Sequence, residues 1–136
     1  MRLPPMASPR ACVRCAGLVP AAIKRPWAVT KTIKEADTLP ALWRVNQVHG
    51  IEHYNDIHLS AVWSAVGRMS NGELLPEHER EVAALEQRTI QMARQKQLGA
   101  RAVANIVHGA ARSGRRCPAA ADLFDALATA ALDRLD

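Results

Sequence analysis

Four polar residues near the C-terminal end of the chain are spaced so that they would share one face of a helix. From the first to the others the offsets are 4, 7 and 11 residues, and positions so spaced form one stripe along an α-helix. Arginine can bind phosphate, asparagine can contact a base edge and histidine can stack on a base. If the stripe binds a nucleic acid, these residues would make the contacts, and the alternative is an ordinary solvated face. The four residues are Arg101, Asn105, His108 and Arg112.

The distribution of charge along the chain favours a polyanionic partner. The formal net charge is +5. No acidic residue lies between Glu86 and Asp122, whereas this segment contains the stripe and also Arg115 and Arg116. A basic segment on a balanced scaffold can form a groove for polyanions. The alternative is a set of solvated surface arginines.

Trp63 is the aromatic residue that could stack on an unpaired base. It lies at the edge of a predicted apolar stripe from Leu59 to Met69. Tryptophan in such a position is either a stacking platform or part of the core. We include Trp63 with Arg115, Arg116 and the four stripe residues as candidate RNA-binding residues.

The N-terminal residues 1–30 form a basic leader. The first acidic residue is Glu35, and the basic residues before it include Arg2, Arg10 and Arg14. Acid-free, arginine-bearing N-termini are typical of import into a mitochondrion or chloroplast, and the alternative is a disordered basic tail. We expect the protein in the matrix or stroma. The chain has no run of about 18 apolar residues, so no membrane span is predicted.

The cysteines and histidines do not form a pattern typical of a metal site. Cys12 and Cys15 are a single pair and Cys117 stands alone, whereas structural zinc needs four ligands. Three histidines cluster in the sequence, but Gly50 is expected to end a helix between the first two, so we interpret them as solvated loop residues. They are His49, His53 and His58.

The motifs of nucleotide-binding loops and of the serine nucleophile elbow are also missing from the sequence. We therefore predict no enzyme activity, no cofactor and no metal site.

Helix start and stop signals recur from Thr38 onward and predict five helices. Thr38 and Gly50 bound the first, Pro76 starts the longest, and Pro118 begins the last. The apolar positions expected to be buried in the last two helices are Val103, Ile106, Val107, Ala110 and Ala111, and then Phe124, Leu127, Ala131 and Leu135.

The chain contains a weak internal repeat. Residues 59–69 align with residues 104–114 at an offset of 45, so that Val62 meets Val107 and Ala65 meets Ala110. Each copy is followed by a turn and a proline-initiated helix. Repeats of this period predict an α-solenoid, in which each hairpin buries its apolar face against its neighbours.

The second copy resembles the octotricopeptide repeat of green-algal organelle proteins, which is related to repeats of FAST-kinase-domain proteins. Residues 104–114, then Pro118 and residues 123–127, follow its pattern of a helix reading roughly L-A-N-x-L-W-A-L-A-K-L-G, a proline and an Ala/Leu-rich helix. His108 replaces the usual tryptophan, and Arg68 is out of step with the basic position that Arg112 fills. Residues 33–69 resemble the hairpin that opens such arrays.

The resemblance covers residues 31–136 and implies an all-α solenoid of two repeats, with hairpins at about 33–69/76–98 and 100–135. It implies an organellar RNA-binding protein acting in transcript stability, processing or translation. The implied partners are single-stranded organellar RNA, other helical-repeat proteins and ribosomal components. The alternative is a protein-interaction solenoid or a structural subunit of an organellar assembly such as a ribosome.

Overall fold

The computed structural model describes residues 26–115 and 120–134, and every secondary-structure element within those ranges is helical. Two short 3-10 helices, Ile51–His53 and Pro76–His78, precede the third and fourth α-helices. The prediction of an all-α fold is confirmed. The α-helices are α1 (Pro26–Glu35), α2 (Leu39–His49), α3 (Asp56–Ser70), α4 (Glu79–Arg94), α5 (Ala100–Arg112) and α6 (Ala121–Asp133).

Backbone contacts divide the chain into two compact units, residues 1–32 and residues 33–136. Of the first unit, the described part is the beginning of α1, where the Thr32 hydroxyl donates to the carbonyl oxygen of Ala28 at 2.9 Å. Helices α2 to α6, which correspond to the five predicted helices, belong to the second unit. The predicted leader boundary at residue 30 falls inside α1. The sequence marks the start of α1 only by Pro26, because its first turn has no acidic residue.

The ends of α2 and α3 follow from local side-chain chemistry. The Thr38 hydroxyl accepts a hydrogen bond from the Ala41 amide at 3.3 Å, and Gly50 ends α2 with φ of 81°. Asn55 caps α3 by accepting from the His58 amide at 2.9 Å. The predicted cap and stop of α2 are confirmed, whereas Pro76 begins a 3-10 turn and α4 itself starts at Glu79.

Helices α3 and α5 lie side by side and run in the same direction. At their N-terminal ends the Gly99 amide donates to the Asp56 carboxylate at 3.4 Å. Towards their C-terminal ends a Cβ on Gly67 would lie 2.9 Å from the carbonyl oxygen of Gly109 and 3.1 Å from the Cβ of Arg112. Two glycines therefore allow the two backbones to touch.

Helices α4 and α6 form a second pair in the body. The guanidinium of Arg134, which follows α6, donates to the carbonyl oxygen of Leu98 at 2.7 Å, in the connection between α4 and α5. The core between the two pairs consists of large fully buried side chains. They include Leu59, Trp63, Leu85, Leu98, Ile106, Leu123 and Leu127.

The predicted burial of the last two helices is partly wrong. Val107 is 36% exposed and Ala111 is exposed, and α5 instead buries Ala102 and Gly109 together with the predicted Val103, Ile106 and Ala110. In α6 Ala131 is exposed and Phe124 is half-buried. Both helices carry apolar residues around most of their circumference, so periodicity defines two neighbouring stripes and does not select between them. Leu135 and Pro118 lie outside the described residues. The buried set of α6 is Leu123, Ala126, Leu127 and Ala130.

Burial also changes the register of the internal repeat. The 45-residue alignment pairs buried Val62 with exposed Val107. Burial instead matches Leu59 with Val103, Val62 with Ile106 and Val66 with Ala110, all at an offset of 44 residues. In this register Arg68 is the counterpart of Arg112.

Candidate nucleic-acid interface

The structure places the predicted polar stripe of α5 on one exposed face. All four side chains are exposed, and the buried residues of α5 occupy the other side of the helix. The stripe therefore has the geometry that its spacing predicted. Its members are Arg101, Asn105, His108 and Arg112.

A groove of about 830 Å³ lies beside the first half of the stripe, between α3 and α5, with the end of α1 contributing to its wall. Arg101 and Asn105 line it, whereas His108 and Arg112 do not. Asp56 and Ser60 of α3 face the same groove, so the structure brings together polar residues of both helices. Lys34 and Arg68 complete its basic lining.

The charges of the groove favour an anionic ligand. Lys34, Arg68 and Arg101 come from three different helices. Within residues 26–115 and 120–134, the ion pairs seen all involve Arg115, so these three cations have no carboxylate partner there. The groove contains one acid, Asp56, against these three cations, so its lining keeps a net positive charge. Unpaired cations along a concave surface focus a positive potential into it.

The placement of Trp63 corrects the stacking prediction. Its side chain is 0% exposed, and its indole N–H donates to the Thr89 hydroxyl at 3.0 Å. Both faces of the ring are enclosed by protein, so no base can stack on it in this structure. The alternative interpretation, a core residue, describes Trp63.

Arg115 is held by the protein itself and is therefore also removed from the candidate set. Its Nε lies 2.8 Å from Glu86 and its Nη1 lies 2.9 Å from Glu79. The hydrogen bond to Glu86 is the largest cause that raises the pKa of Arg115. Arg116 lies outside the described residues.

The three clustered histidines differ in environment. His58 is buried at the start of α3, where its Nδ1 accepts from the Asn55 amide at 3.1 Å, so its assignment to a solvated loop is wrong. His49 is half-buried, and its pKa is lowered by burial and then by the nearby His58. His53 is exposed. The described part of the chain contains no group of three or more side chains placed to hold a metal ion.

Sequence reasoning missed Arg68 and Lys34 as site residues. Arg68 was set aside because the 45-residue alignment put it out of step with Arg112, and the 44-residue register of burial removes that mismatch. Lys34 belongs to α1, which was not predicted. No signal in the sequence identifies Arg68, because the register of burial depends on which helix covers which face.

No protein-family model matches the chain, and it has no significant match to a curated protein or to a solved structure. Among the described residues, no helix has the length and apolar character needed to cross a membrane. The groove and its charges are therefore the basis for a functional proposal.

Proposed function

We propose that the groove between α3 and α5 binds single-stranded RNA. The observation that carries the proposal is the convergence of Lys34, Arg68 and Arg101 on one groove with no carboxylate partner among the described residues. Arginine and lysine supply the phosphate contacts that dominate nucleic-acid affinity. Asn105, on the same wall as Arg101, offers an amide for contacts to a base edge.

The exposed stripe of α5 extends this surface beyond the groove. From Arg101 to Arg112 the helix rises roughly 16 Å, at about 1.5 Å per residue. His108 and Arg112 therefore lie where a strand leaving the groove would run along α5. A surface of this size contacts few nucleotides, as expected for two helical hairpins.

We further propose that α3–α4 and α5–α6 are successive repeats of an α-solenoid. The shared direction of α3 and α5, with the Asp56–Gly99 hydrogen bond at one end and the Gly67–Gly109 contact near the other, supports this arrangement. In helical-repeat RNA readers, one helix of each repeat presents side chains to a base. Stacked repeats would place Arg68 and Arg112 at equivalent positions.

We also propose that the protein binds organellar transcripts and supports their stability, processing or translation. Support comes from the basic, acid-free residues 1–30, which suit import into a chloroplast or mitochondrion. It also comes from the resemblance of residues 104–114 to the octotricopeptide repeat.

The proposal is tested by replacing two groove arginines, Arg68→Ala with Arg101→Ala. Fluorescence anisotropy on short single-stranded RNAs should show weaker binding for all sequences. The slope of log K against log salt should become shallower by roughly 0.7 for each lost phosphate contact. The matched control is Arg44→Ala with Arg80→Ala, because these arginines are exposed, do not line the groove and carry the same charge.

Equal RNA binding by the wild type and the groove variant would contradict the proposal. Equal losses in the groove and control variants would show that net charge alone attracts RNA.

A second candidate, a protein-interaction solenoid, is favoured by the exposed apolar side of α5 that includes Ala104, Val107 and Ala111. If the wild type does not bind RNA, the protein-interaction function becomes the favoured one.

A further inference from the structure

We propose that the Asp56 end of the groove selects a nucleotide whose base carries an exocyclic amino group, and so prefers cytosine to uracil. The inference rests on the proposed RNA binding and specifies what the same groove recognises. It follows from the uneven distribution of hydrogen-bond donors and acceptors along the α3 wall of the groove.

The acceptors of the α3 wall lie at the N-terminal end of the helix. The Asp56 carboxylate can only accept hydrogen bonds when ionised. It receives one long bond, 3.4 Å from the Gly99 amide, at Oδ2, and this single bond leaves acceptor capacity on the carboxylate. The Ser60 hydroxyl donates its proton to the main-chain oxygen of Asp56 at 3.0 Å. Because that proton is committed, Ser60 offers only lone pairs to a ligand in the groove.

The donors of the same wall lie at the other end. Arg68 is 12 residues beyond Asp56 in the sequence, which is roughly 18 Å along the axis of α3. Arginine has no acceptor atom. A nucleotide strand lying along α3 would therefore place phosphate at the Arg68 end. At the Asp56 end the edge of a base that faces α3 would meet acceptors, while Arg101 on the opposite wall contacts phosphate.

Cytosine and uracil differ at the atom that such an acceptor pair would meet. Cytosine presents an amino group at C4, and a carboxylate accepts a hydrogen bond from it. Uracil presents a carbonyl oxygen at the same position, which the lone pairs of Asp56 and Ser60 would repel. Both are pyrimidines of nearly equal size but differ in stacking strength, so the hydrogen-bonding contribution is the part of the affinity ratio that Asp56→Asn removes. Asn105 on the opposite wall can pair with either base, because its amide both donates and accepts.

The test compares oligocytidylate with oligouridylate of equal length by fluorescence anisotropy. The wild type should bind oligocytidylate about tenfold more tightly. Asp56→Asn should bring the ratio of the two dissociation constants close to one, because an amide can donate to uracil as well as accept from cytosine. Asp122→Asn is the matched control, since Asp122 is exposed in the first turn of α6 and does not line the groove. Both substitutions remove one negative charge, so a general rise in affinity cancels in the ratio.

Ser60→Ala is a second variant, and it leaves the Asp56–Gly99 contact intact. It should bring the ratio of the two dissociation constants closer to one, but less so than Asp56→Asn. A wild-type ratio near one, or a ratio that neither Asp56→Asn nor Ser60→Ala changes, overturns the inference. In that case the proposed function still stands if Arg68→Ala with Arg101→Ala weakens binding. Failure of the wild type to bind either RNA overturns the proposed function and the inference with it.

Discussion

The ion pairs of Arg115 show how a charged residue in a basic segment can be structural. Its side chain is only 11% exposed and that of Glu86 only 10%, so both charges are largely removed from water. Glu79, the second partner, is 58% exposed. Most of the free energy of unfolding lost with the arginine therefore comes from Glu86, because its carboxylate would remain nearly buried without a partner.

We predict that Arg115→Ala lowers the free energy of unfolding by roughly 3–5 kcal/mol, the usual cost of breaking a buried pair from one side. The exposed Arg80→Ala should change it by less than about 0.5 kcal/mol. Urea unfolding followed by circular dichroism measures both. Arg115→Met combined with Glu86→Leu should recover much of the loss, because no unpaired charge remains. A double variant as unstable as Arg115→Ala would show that the loss does not come from an unpaired Glu86 carboxylate.

At the scale of elements, the contact between α3 and α5 depends on the absence of a side chain at Gly109. A Cβ there would overlap the backbone carbonyl of Trp63, with the carbonyl carbon at 2.5 Å. Backbone atoms of a packed helix cannot move aside as a flexible side chain can. An added methyl group must therefore push the two helices apart.

We predict that Gly109→Ala destabilises the body by about 1–3 kcal/mol through overpacking, although alanine is the better helix former by about 1 kcal/mol. The control is Gly99→Ala, where the nearest atom to the new Cβ is a carboxylate oxygen of Asp56 at 3.4 Å. Its effect should be a few tenths of a kcal/mol, from the poorer N-cap. Thermal unfolding of both variants decides the matter. A Gly109→Ala variant as stable as the wild type would mean that the crossing is looser than the structure shows.

At the scale of the whole molecule, helices α2 to α6 share a limited core, so each buried side chain in the last helix affects the stability of the others. Leu127 is 1% exposed and packs in the core, whereas Leu132 on the same helix is 64% exposed. Helices in a small domain are stabilised mainly by packing against one another. Damage to α6 should therefore destabilise the whole body.

We predict that Leu127→Ala costs roughly 2–5 kcal/mol and that Leu132→Ala costs less than about 0.5 kcal/mol. Circular dichroism in urea should show one transition at lower denaturant for the first variant and an unchanged transition for the second. A two-step curve for Leu127→Ala would indicate that α6 unfolds alone. That result would contradict the expected cooperation between α6 and the other helices.

Several features of this protein were predictable from the sequence because their causes are local. The Thr38 cap and the Gly50 stop involve atoms only a few residues apart. The shared face of Arg101 and Arg112 needs only the period of a helix. An all-α fold follows in the same way from recurring start and stop signals.

Other features were decided by tertiary structure, because they depend on which helix covers which face. Periodicity groups Val107 with Val103 as apolar, but only the position of the neighbouring helices buries one and leaves the other exposed. Trp63 is core because the surrounding helices bury it completely, and Thr89, 26 residues away, accepts its N–H. Arg115 is unavailable to a ligand because Glu86 and Glu79 lie 29 and 36 residues away in sequence but beside it in space. The groove itself exists only where α3, α5 and the end of α1 meet, so no local pattern could have joined Lys34 and Arg68 to Arg101.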